Sequence, residues 1–497
     1  MAHDLLEGRG VGTRGDTLTT EYLAAAFAAA GAQPAGDLVE GRRTYFQRVP
    51  LVGVTTRPEA SLAGLKYLEE FVGASQRQRE LEEFEADTVF LGHGIVAPEF
   101  AWNDYAGTDV KGKIVVVFTN EPPSADPSFF GGKGLTYYGR WTYKFQEAAR
   151  RGARGALIIH TDESAGYGWE VVRNSWGKED PQVPVKPGEP ALEFAGWITS
   201  AAARKLFGRD PAELLKLADS RGFRAQTLNQ RLKLRIPATI RPIESRNVIA
   251  MVEGSDPQLK SEAVVYSAHW DHLGVDPSIA GDGIYNGAID NGTGLGMIVE
   301  IARAFAALPQ KPRRSLLFLA VTAEESGLRG SEFYAKNPVV PLAKTQLNLN
   351  FDAVPPYGLT KDLVAIGAER TTAWPLLQEA AQRFGFKIAP DPRPEQGSYY
   401  RSDHFSFARG GVPAFSINLG MEYYGPNAAR AVEQRRRYGA AQYHKPTDEY
   451  QEDWDWAIVE KVSNLGVVLG TNAANAPRLF TWRKGDEFLP ARSGSSN

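Results

Sequence analysis

The sequence predicts an α/β protein with a three-layer α/β/α architecture, a mostly parallel mixed sheet and an inserted β-rich module. In the second half of the chain, apolar segments alternate with amphipathic helical segments, which is typical of a sheet covered by helices on both faces. From about Tyr45 to a proline-bearing stretch at 237–242, short strands are instead separated by glycine and proline. At 497 residues the chain also exceeds the usual size of one hydrophobic core, so we expect more than one domain.

The first elements of the chain carry recognisable boundary signals. An alanine-rich segment at 18–30 has helical spacing, follows the polar Asp16-Thr17 and ends at Gly31, which indicates a capped helix. A second helix is expected at 143–151. The part rich in glycine and proline contains three predicted short strands, at 87–91, 113–118 and 156–159.

The second half of the chain contains the predicted central sheet. Its most apolar segments, which suit strands covered on both faces, are 262–268, 315–322, 346–351 and 412–418. The segment 293–307 places apolar residues on one helical face. We therefore expect a main domain in two parts, an inserted module and a flexible tail, with boundaries at 1–60, 61–235, 236–485 and 486–497.

Composition narrows the classes of function. The chain is 43% hydrophobic and 23% charged, which is typical of a folded globular protein. A net charge of -3 argues against nucleic acid or a membrane as partner, and Arg435-Arg436-Arg437 is interpreted as a solvated surface. The absence of cysteine excludes disulfides, thiolate metal sites and a cysteine nucleophile. Any metal must therefore be bound by His, Asp and Glu.

Polar residues follow three of the predicted central strands directly. His269 and Asp271 follow the first, Glu324-Glu325 follow the second, and Asp352 follows the third. Since ligands of open α/β sheets bind beyond the carboxyl ends of the strands, these side chains are expected to share one crevice.

Acids gathered in such a crevice would repel one another unless some took up protons. Asp290 and His444 complete a set that could bind two divalent cations, with one carboxylate bridging them and an open position left for water. The sequence therefore predicts a catalytic site with two Zn²⁺ ions. Neither a Gly-x-Ser-x-Gly nor a His-Glu-x-x-His motif is present, so the common serine-hydrolase and single-zinc motifs are excluded.

Five ordered segments resemble the co-catalytic di-zinc exopeptidases, a family that includes zinc aminopeptidases and glutamate carboxypeptidase. The segments are Ser267-Ala268-His269-Trp270-Asp271-His272-Leu273-Gly274, Gly287-Ala288-Ile289-Asp290-Asn291-Gly292-Thr293-Gly294, Glu324-Glu325-Ser326-Gly327-Leu328-Arg329-Gly330-Ser331, Asn350-Phe351-Asp352 and Tyr443-His444-Lys445-Pro446-Thr447-Asp448. The resemblance covers about 8–43 and 245–482. It implies the zinc exopeptidase fold for the main domain.

The resemblance also implies a role for each matching residue. The ligands would be His269 and Asp352 on one zinc, Glu325 and His444 on the other, and Asp290 between them. The catalytic groups would be Glu324 as general base toward a metal-bridging hydroxide, Tyr443 as hydroxyl donor to the oxyanion, and Asp271 as acceptor of the other ring proton of His269. Arg401 is a candidate for binding a substrate carboxylate or carbonyl.

The intervening module resembles the protease-associated domain that is often inserted in this family. Gly92-His93-Gly94-Ile95 and Val110-Lys111-Gly112-Lys113-Ile114 carry that likeness, and a module of this kind is expected to shape substrate access. Members with such an insert are commonly exported, so the expected location is secreted or periplasmic. The expected substrate is a peptide or small amide.

Three classes of function remain open at this stage. The favoured one is an aminopeptidase that releases N-terminal residues. A carboxypeptidase or amide hydrolase of the glutamate type would need a basic residue for the terminal carboxylate, and Arg401 is the candidate. A receptor-like binding module or a cyclising acyltransferase would be expected to have lost ligands, whereas this sequence retains all five.

Overall fold

The structure is a computed structural model that describes residues 1–126, 128–165 and 167–494. It divides into two compact units. The first comprises Met1–Pro50, Glu244–Pro392 and the chain from Arg401 onward, and the second comprises Leu51–Ile243 with Arg393–Tyr400. The second unit is longer at both ends than the segment 61–235 expected for the insert, because the strands Phe46–Thr56 and Gln226–Val252 run through its boundaries without a break.

The first unit is built on a mixed sheet whose four central strands are parallel. The strand Ala263–His269 lies between Ser315–Val321 and Thr345–Asn350, and the latter pairs with Ala414–Leu419. Outer strands pair antiparallel with both sides of this group. From one edge to the other, the strands are Gln33–Pro34, the end of Gln226–Val252, Ser315–Val321, Ala263–His269, Thr345–Asn350, Ala414–Leu419, Asp362–Ile366 and Lys387–Ala389. The predicted α/β class with a mostly parallel mixed sheet is confirmed.

Apolar and polar side chains alternate along the strands, so the two faces of this sheet differ in polarity. In Ala263–His269, the side chains of Val264 and Tyr266 belong to a large apolar cluster, whereas the intervening Ser267 hydrogen-bonds to polar groups. Successive side chains of a strand point to opposite faces, so one face is apolar and the other carries a buried polar row. Helices packed into the apolar cluster are Arg14–Ala29, Gly294–Ala307, Trp374–Arg383 and Ala457–Asn475.

Shorter helices complete the first unit. Arg329–Lys336 and His404–Arg409 contact each other through Tyr334 and Phe407, whose ring centroids are 5.5 Å apart. The first unit also contains the 3-10 helix Asp4–Arg9 and the helix Ala428–Arg437. The helix predicted at 18–30 begins earlier, because the Thr13 hydroxyl accepts a hydrogen bond from Gly15 N and caps it there.

The second unit has its own sheet and its own apolar cores. Its parallel strands run in the order Leu81–Phe90, Ile114–Phe118, Gly155–His160 and Phe194–Thr199, and Phe71–Ala74 adds to the last of them in the antiparallel sense. The predicted β-rich texture is therefore present, together with several helices. These are Trp141–Arg150, Asp162–Ala165, Trp169–Trp176, Ser200–Phe207 and Pro211–Ala218.

The segment expected as a flexible tail at 486–497 is partly tied to the first unit. Asp486 forms an ion pair with Arg370 at 2.7 Å, and the ring of Phe488 is buried with its centroid 5.1 Å from that of Trp482. Burying an aromatic ring offsets much of the entropy lost in ordering this stretch. The helix Leu489–Gly494 follows, and residues 495–497 lie outside the described residues.

In the described part of the chain, no helix combines the length and the apolar character needed to cross a bilayer.

Candidate metal centre

The parallel strands of the first unit deliver polar side chains to one edge of the sheet. The strand Ala263–His269 ends at His269 itself, which pairs in register with Val321 of the neighbouring strand. Glu324 and Glu325 follow that neighbour within a few residues, and Asp352 follows the strand on the other side. Parallel strands end at the same edge, so residues far apart in sequence meet there.

Three buried or half-buried side chains form a first group around His269. Its Nε2 lies 3.1 Å from Asp290 Oδ1 and 3.3 Å from Asp352 Oδ1. Two ligand atoms at 2.0–2.1 Å from a tetrahedral zinc ion would be separated by about 3.3–3.4 Å. The observed spacing therefore suits a shared cation, and the three side chains form one of the candidate metal-binding groups.

A second group lies on the other side of Asp290. His444 Nε2 is 3.2 Å from Asp290 Oδ2 and 3.0 Å from Glu325 Oε2. Each oxygen of the Asp290 carboxylate thus faces a different histidine. This is the geometry required of a carboxylate that is shared between two ligand sets.

His272 supports the second group through Glu325. Its Nδ1 lies 2.7 Å from Glu325 Oε1, the carboxylate oxygen that does not face His444. The side chain of Glu325 is only 7% exposed, so this contact and that to His444 satisfy both of its oxygens away from water.

Glu324 lies beside these groups, with a carboxylate oxygen within 4.8 Å of ligand atoms of His269 and Glu325. It is partly exposed, whereas the predicted ligands His269 and Asp290 are buried. Burial raises the pKa of Glu324 well above its usual range, and the carboxylates of Asp403 and Asp352 add to the effect. An acid of this kind can exchange a proton with a group entering from solvent.

Asp271 differs from the sequence prediction in the group it contacts. The His269 Nδ1 hydrogen-bonds to the backbone carbonyl of Asp271 at 3.1 Å, while the Asp271 carboxylate is 4.0 Å away. That carboxylate instead accepts the backbone N–H groups of Glu324 and Glu325, at 3.0 and 3.2 Å. Because these two amides would otherwise be left without partners where the chain turns, the carboxylate is drawn to them. Asp271 therefore holds the Glu324-Glu325 turn, and its main chain orients the imidazole.

Three residues within or next to the site have unfavourable backbone conformations. Ala323, Ala353 and His444 all have positive φ angles, between 52° and 56°, which residues with side chains rarely adopt. Two of them directly precede or follow Glu324 and Asp352, and the third is itself a predicted ligand. Conformations of this type cost on the order of 1–3 kcal/mol each and cluster at functional sites.

The histidines and carboxylates of the site form ion pairs. A bound cation would take the place of the protons that the imidazoles carry in these pairs. Burial alone would lower the pKa of His269, but the carboxylates of Glu324 and Asp352 outweigh it and raise that pKa well above its usual value. Burial also opposes protonation of His444, whereas the Glu325 carboxylate is the main group that raises its pKa to about 10. Both imidazoles are thus held as cations by the surrounding acids.

The pKa values of the acids Asp290 and Glu325 shift in the opposite direction, to lower values. Burial would raise the pKa of Asp290, but hydrogen bonds with His269 and His444 hold it well below its usual range. Burial also works against ionisation of Glu325, and the charge of His444 leads the contacts that lower its pKa to about 2. Ionised carboxylates converging on imidazoles are the donor set that divalent zinc uses, so the residues present fit the metal.

Tyr443 stacks on the neighbouring ligand candidate. Its ring lies 3.9 Å from that of His444 with an interplanar angle of 22°, and the residue is 46% exposed. It is therefore next to the second group and open to solvent, as a residue that contacts a bound substrate must be.

Arg401 directly precedes Ser402, whose hydroxyl donates to Asp352 of the first group at 2.6 Å. Its Nε is buried without a hydrogen-bond partner among the described residues. A buried donor of this kind is normally satisfied in a native protein, so this atom is free to bind a group from outside the chain.

A chain of polar residues that the sequence analysis did not assign orients Asp352. Ser402 donates to Asp352 Oδ2 at 2.6 Å and accepts from Asn350 Nδ2 at 2.7 Å. Asn350 in turn accepts from Ser267 at 2.7 Å, on the polar face of the central strands. The signal in the sequence was the presence of Ser and Asn at alternate positions in otherwise apolar strands.

Comparison with known proteins points to the same segment of the chain. Residues 247–468 match the model of peptidase family M28. Leupeptin-inactivating enzyme 1 of Streptomyces exfoliatus is 25% identical over 46% of this chain and 49% of its own length. Aminopeptidase YwaD of Bacillus subtilis is 28% identical over 35% of this chain and 36% of its own length. The alignments thus span about half or less of these relatives.

A solved structure supports the fold over nearly the whole chain. The aminopeptidase from Aneurinibacillus sp. strain AM-1 superposes with a TM-score of 0.52 over 97% of this chain and 94% of that protein, at 20% identity. At this identity the similarity establishes the shared architecture.

Replacing Asp290 with alanine tests the shared carboxylate. We expect zinc bound per chain to fall, with affinity reduced by more than the roughly 10–100-fold typical of losing an outer hydrogen-bond partner. Bound metal would be measured by mass spectrometry of the protein after dialysis against defined free zinc.

Asp362→Ala is the matched control for that substitution. Asp362 is also a buried aspartate of the first unit, but it accepts backbone N–H groups of Met421 and Glu422. The control should keep the parent zinc content. Full zinc occupancy in Asp290→Ala would contradict the placement of Asp290 between the two groups.

Proposed function

We propose that this chain, whose residues 247–468 match the model of peptidase family M28, is a two-zinc aminopeptidase that hydrolyses peptide bonds at free N-termini. The observation that carries the proposal is the position of Asp290, whose two carboxylate oxygens face His269 and His444 at 3.1 and 3.2 Å. One zinc would be held by His269, Asp352 and Asp290, and the other by Glu325, His444 and Asp290. When bound, the ions would polarise the scissile carbonyl and increase the acidity of water.

Glu324 is the group placed to move protons. Its carboxylate lies within 4.8 Å of ligand atoms of His269 and Glu325, and its side chain is partly exposed, so it could reach the attacking water and the departing amine. It would take a proton from the water as the new C–O bond forms and pass a proton to the amine nitrogen as the C–N bond breaks. The Asp271 carboxylate fixes the backbone of Glu324 and so limits the positions its side chain can adopt.

Tyr443 and the acids of the site would orient the substrate. The exposed ring of Tyr443 stacks on His444, and its hydroxyl would donate to the oxygen that becomes negative in the tetrahedral intermediate. With both zinc ions bound, their positive charges would offset the ligand carboxylates, and Glu324 would remain as the acid that attracts a free α-ammonium. This charge balance favours the aminopeptidase over the carboxypeptidase alternative.

The second unit and the location of the protein belong to the same proposal. We propose that the second unit acts as a protease-associated domain that limits the size of accepted substrates, and that the protein is secreted or periplasmic. Both ideas derive from the family resemblance. Fractionation of the native host with an antibody to this chain would test the location.

The proposed function predicts metal-dependent release of N-terminal residues. Peptides with free or acetylated N-termini and free or amidated C-termini would be incubated with zinc-loaded and chelator-treated protein, and the products identified by mass spectrometry. We expect stepwise loss from free N-termini, because only these present the ammonium group, and no loss after chelation.

Other product patterns would refute the proposal in different ways. Loss of residues from free C-termini would indicate a carboxypeptidase and direct attention to Arg401. Cleavage of peptides blocked at both ends would indicate an amide hydrolase or endopeptidase. Intact peptides in every reaction would leave a binding or acyl-transfer protein.

A further prediction concerns Glu324→Gln, which keeps the shape of the side chain but removes its ability to accept a proton. We expect kcat to fall by about 10²–10⁴-fold, the range typical of a lost general acid-base. Zinc content should stay at the parent value, because Glu324 is not among the proposed ligands. Steady-state kinetics and metal analysis would be carried out on the same preparation.

Glu332→Gln provides the control for Glu324→Gln. Glu332 lies on the nearby helix Arg329–Lys336 and pairs with Lys336 at 2.9 Å, so its loss should leave turnover unchanged. Near-normal kcat in Glu324→Gln would remove Glu324 from the proposed mechanism.

A further inference from the structure

Arg9 is a fully buried arginine whose guanidinium donates hydrogen bonds to five main-chain oxygens. Its Nε donates to Trp270 O at 2.7 Å, and Nη2 donates to Gly287 O at 2.9 Å and Asp290 O at 3.2 Å. Nη1 donates to the carbonyls of Met1 and Asn286. Three of these carbonyls belong to the short segment 286–290 that ends at Asp290, and a fourth follows His269 directly.

Asp448 binds the same segment through its amides. Its carboxylate accepts from Ile289 N at 3.0 Å and from Asp290 N at 3.1 Å, and its backbone carbonyl accepts from Ala288 N at 3.0 Å. Asp448 is itself 1% exposed and lies four residues after His444. The segment is therefore held by a cation on its carbonyls and an anion on its amides. We refer to Arg9 and Asp448 together as the Arg9–Asp448 clamp.

Close packing at Gly287 leaves the clamp little freedom. Gly287 has a φ of +55°, and a β carbon added there would lie 2.7 Å from Arg9 Nη2 and 2.2 Å from Asp290 O. A side chain would displace the guanidinium from the segment. The glycine is thus required both by its conformation and by the approach of Arg9.

The N-terminal segment is fixed so that Arg9 reaches this position. Gly274 N donates to Gly8 O at 3.0 Å, and His272 N donates to Arg9 O at 3.3 Å. A β carbon at Gly8 would lie 2.3 Å from Gly274 O. These bonds attach the main chain around Arg9 to the loop that follows His269.

An arginine is suited to this position by its shape and by its charge. A guanidinium offers five N–H donors in a rigid plane, whereas the lysine ammonium offers three on a flexible stem. Burial lowers the pKa of Arg9, while the charges of Asp290, Asp448 and Asp271 act in the opposite direction. The guanidinium therefore compensates acids of the centre without occupying any of their ligand atoms.

We propose that Arg9 and Asp448 are positioning residues that hold the Asp290 carboxylate between His269 and His444, and thereby set the zinc affinity and the turnover of the centre. This inference rests on the proposed zinc-dependent function. Neither residue is required to contact the metal or the substrate. Their effect is transmitted through the backbone of the segment 286–290.

The test compares Arg9→Lys with Arg314→Lys. Arg314 is an equally buried arginine of the first unit that donates to the Ala474 carbonyl and pairs with Glu262 at 2.6 Å, away from the segment 286–290. Zinc affinity would be measured by competition with a chromophoric chelator, and unfolding by thermal denaturation followed by circular dichroism. Steady-state kinetics would be measured at saturating zinc.

We expect Arg9→Lys to weaken zinc binding by about 10–100-fold, as is typical when an outer partner of a ligand is lost. At saturating zinc, kcat should fall while KM changes little, since the groups that contact substrate remain. Arg314→Lys should show lower thermal stability but the zinc affinity and kcat of the parent. An Arg9→Lys protein with parent zinc affinity and kcat would overturn the proposal, and so would equal loss of affinity in the two variants.

Asp448→Asn tests the other half of the clamp and serves if Arg9→Lys does not fold. Asparagine has nearly the same size but accepts only one of the two backbone N–H groups, so the anion and one hydrogen bond to the segment are lost. Zinc affinity should again fall relative to the parent, and unchanged affinity would refute the role of Asp448. Failure of the parent to bind zinc would refute the proposed function itself, which is a separate outcome from a parent that binds zinc and a clamp that has no effect.

Discussion

The rest of the first unit depends on the burial of several carboxylates at one edge of its sheet. Asp271, Asp290 and Asp448 are each at most 2% exposed, and Glu325 lies beside them. Buried anions are costly unless they are paired and hydrogen-bonded. Three kinds of partner meet this requirement: imidazoles that share protons with the acids, backbone amides at the turns, and the Arg9 guanidinium. A bound cation would replace the protons and leave the other partners in place.

The need to pair buried carboxylates explains why acids that look alike in sequence have different roles. Burial opposes ionisation of all three acids, but contacts with histidines lower the pKa of Asp290 and Glu325, whereas burial prevails and raises the pKa of Glu324, with Asp403 and Asp352 adding to the effect. The two adjacent glutamates therefore differ in chemistry because they differ in neighbours. The Asp271 carboxylate has neither of these roles and accepts hydrogen bonds from the backbone amides of Glu324 and Glu325. Pairs of acids with separated pKa values are the arrangement from which acid-base assignments follow.

The sequence predicted the sheet and its edge because both depend on patterns that are local. Apolar runs locate the central strands, and the parallel order brings His269, Glu325 and Asp352 together whatever the details of the turns. The acceptor of the His269 ring proton could not be predicted, because a main-chain carbonyl and a carboxylate of the same residue were equally available. Arg9 was also missed, since one arginine in a glycine-rich stretch has no pattern that indicates burial more than 260 residues away in sequence.

On the polar face of the sheet, buried side chains also hydrogen-bond to one another. Ser267 and Asn350 lie in central strands where an apolar residue would contribute more to burial, yet each hydrogen-bonds to the next along a path that ends at Asp352. A buried network of connected hydrogen bonds leaves few alternative arrangements of its members. Asp352 is thus oriented from within the sheet, while Asp290 is oriented from outside it by Arg9 and Asp448. Since the two carboxylates meet at His269, the position of that histidine depends on both sides of the fold at once.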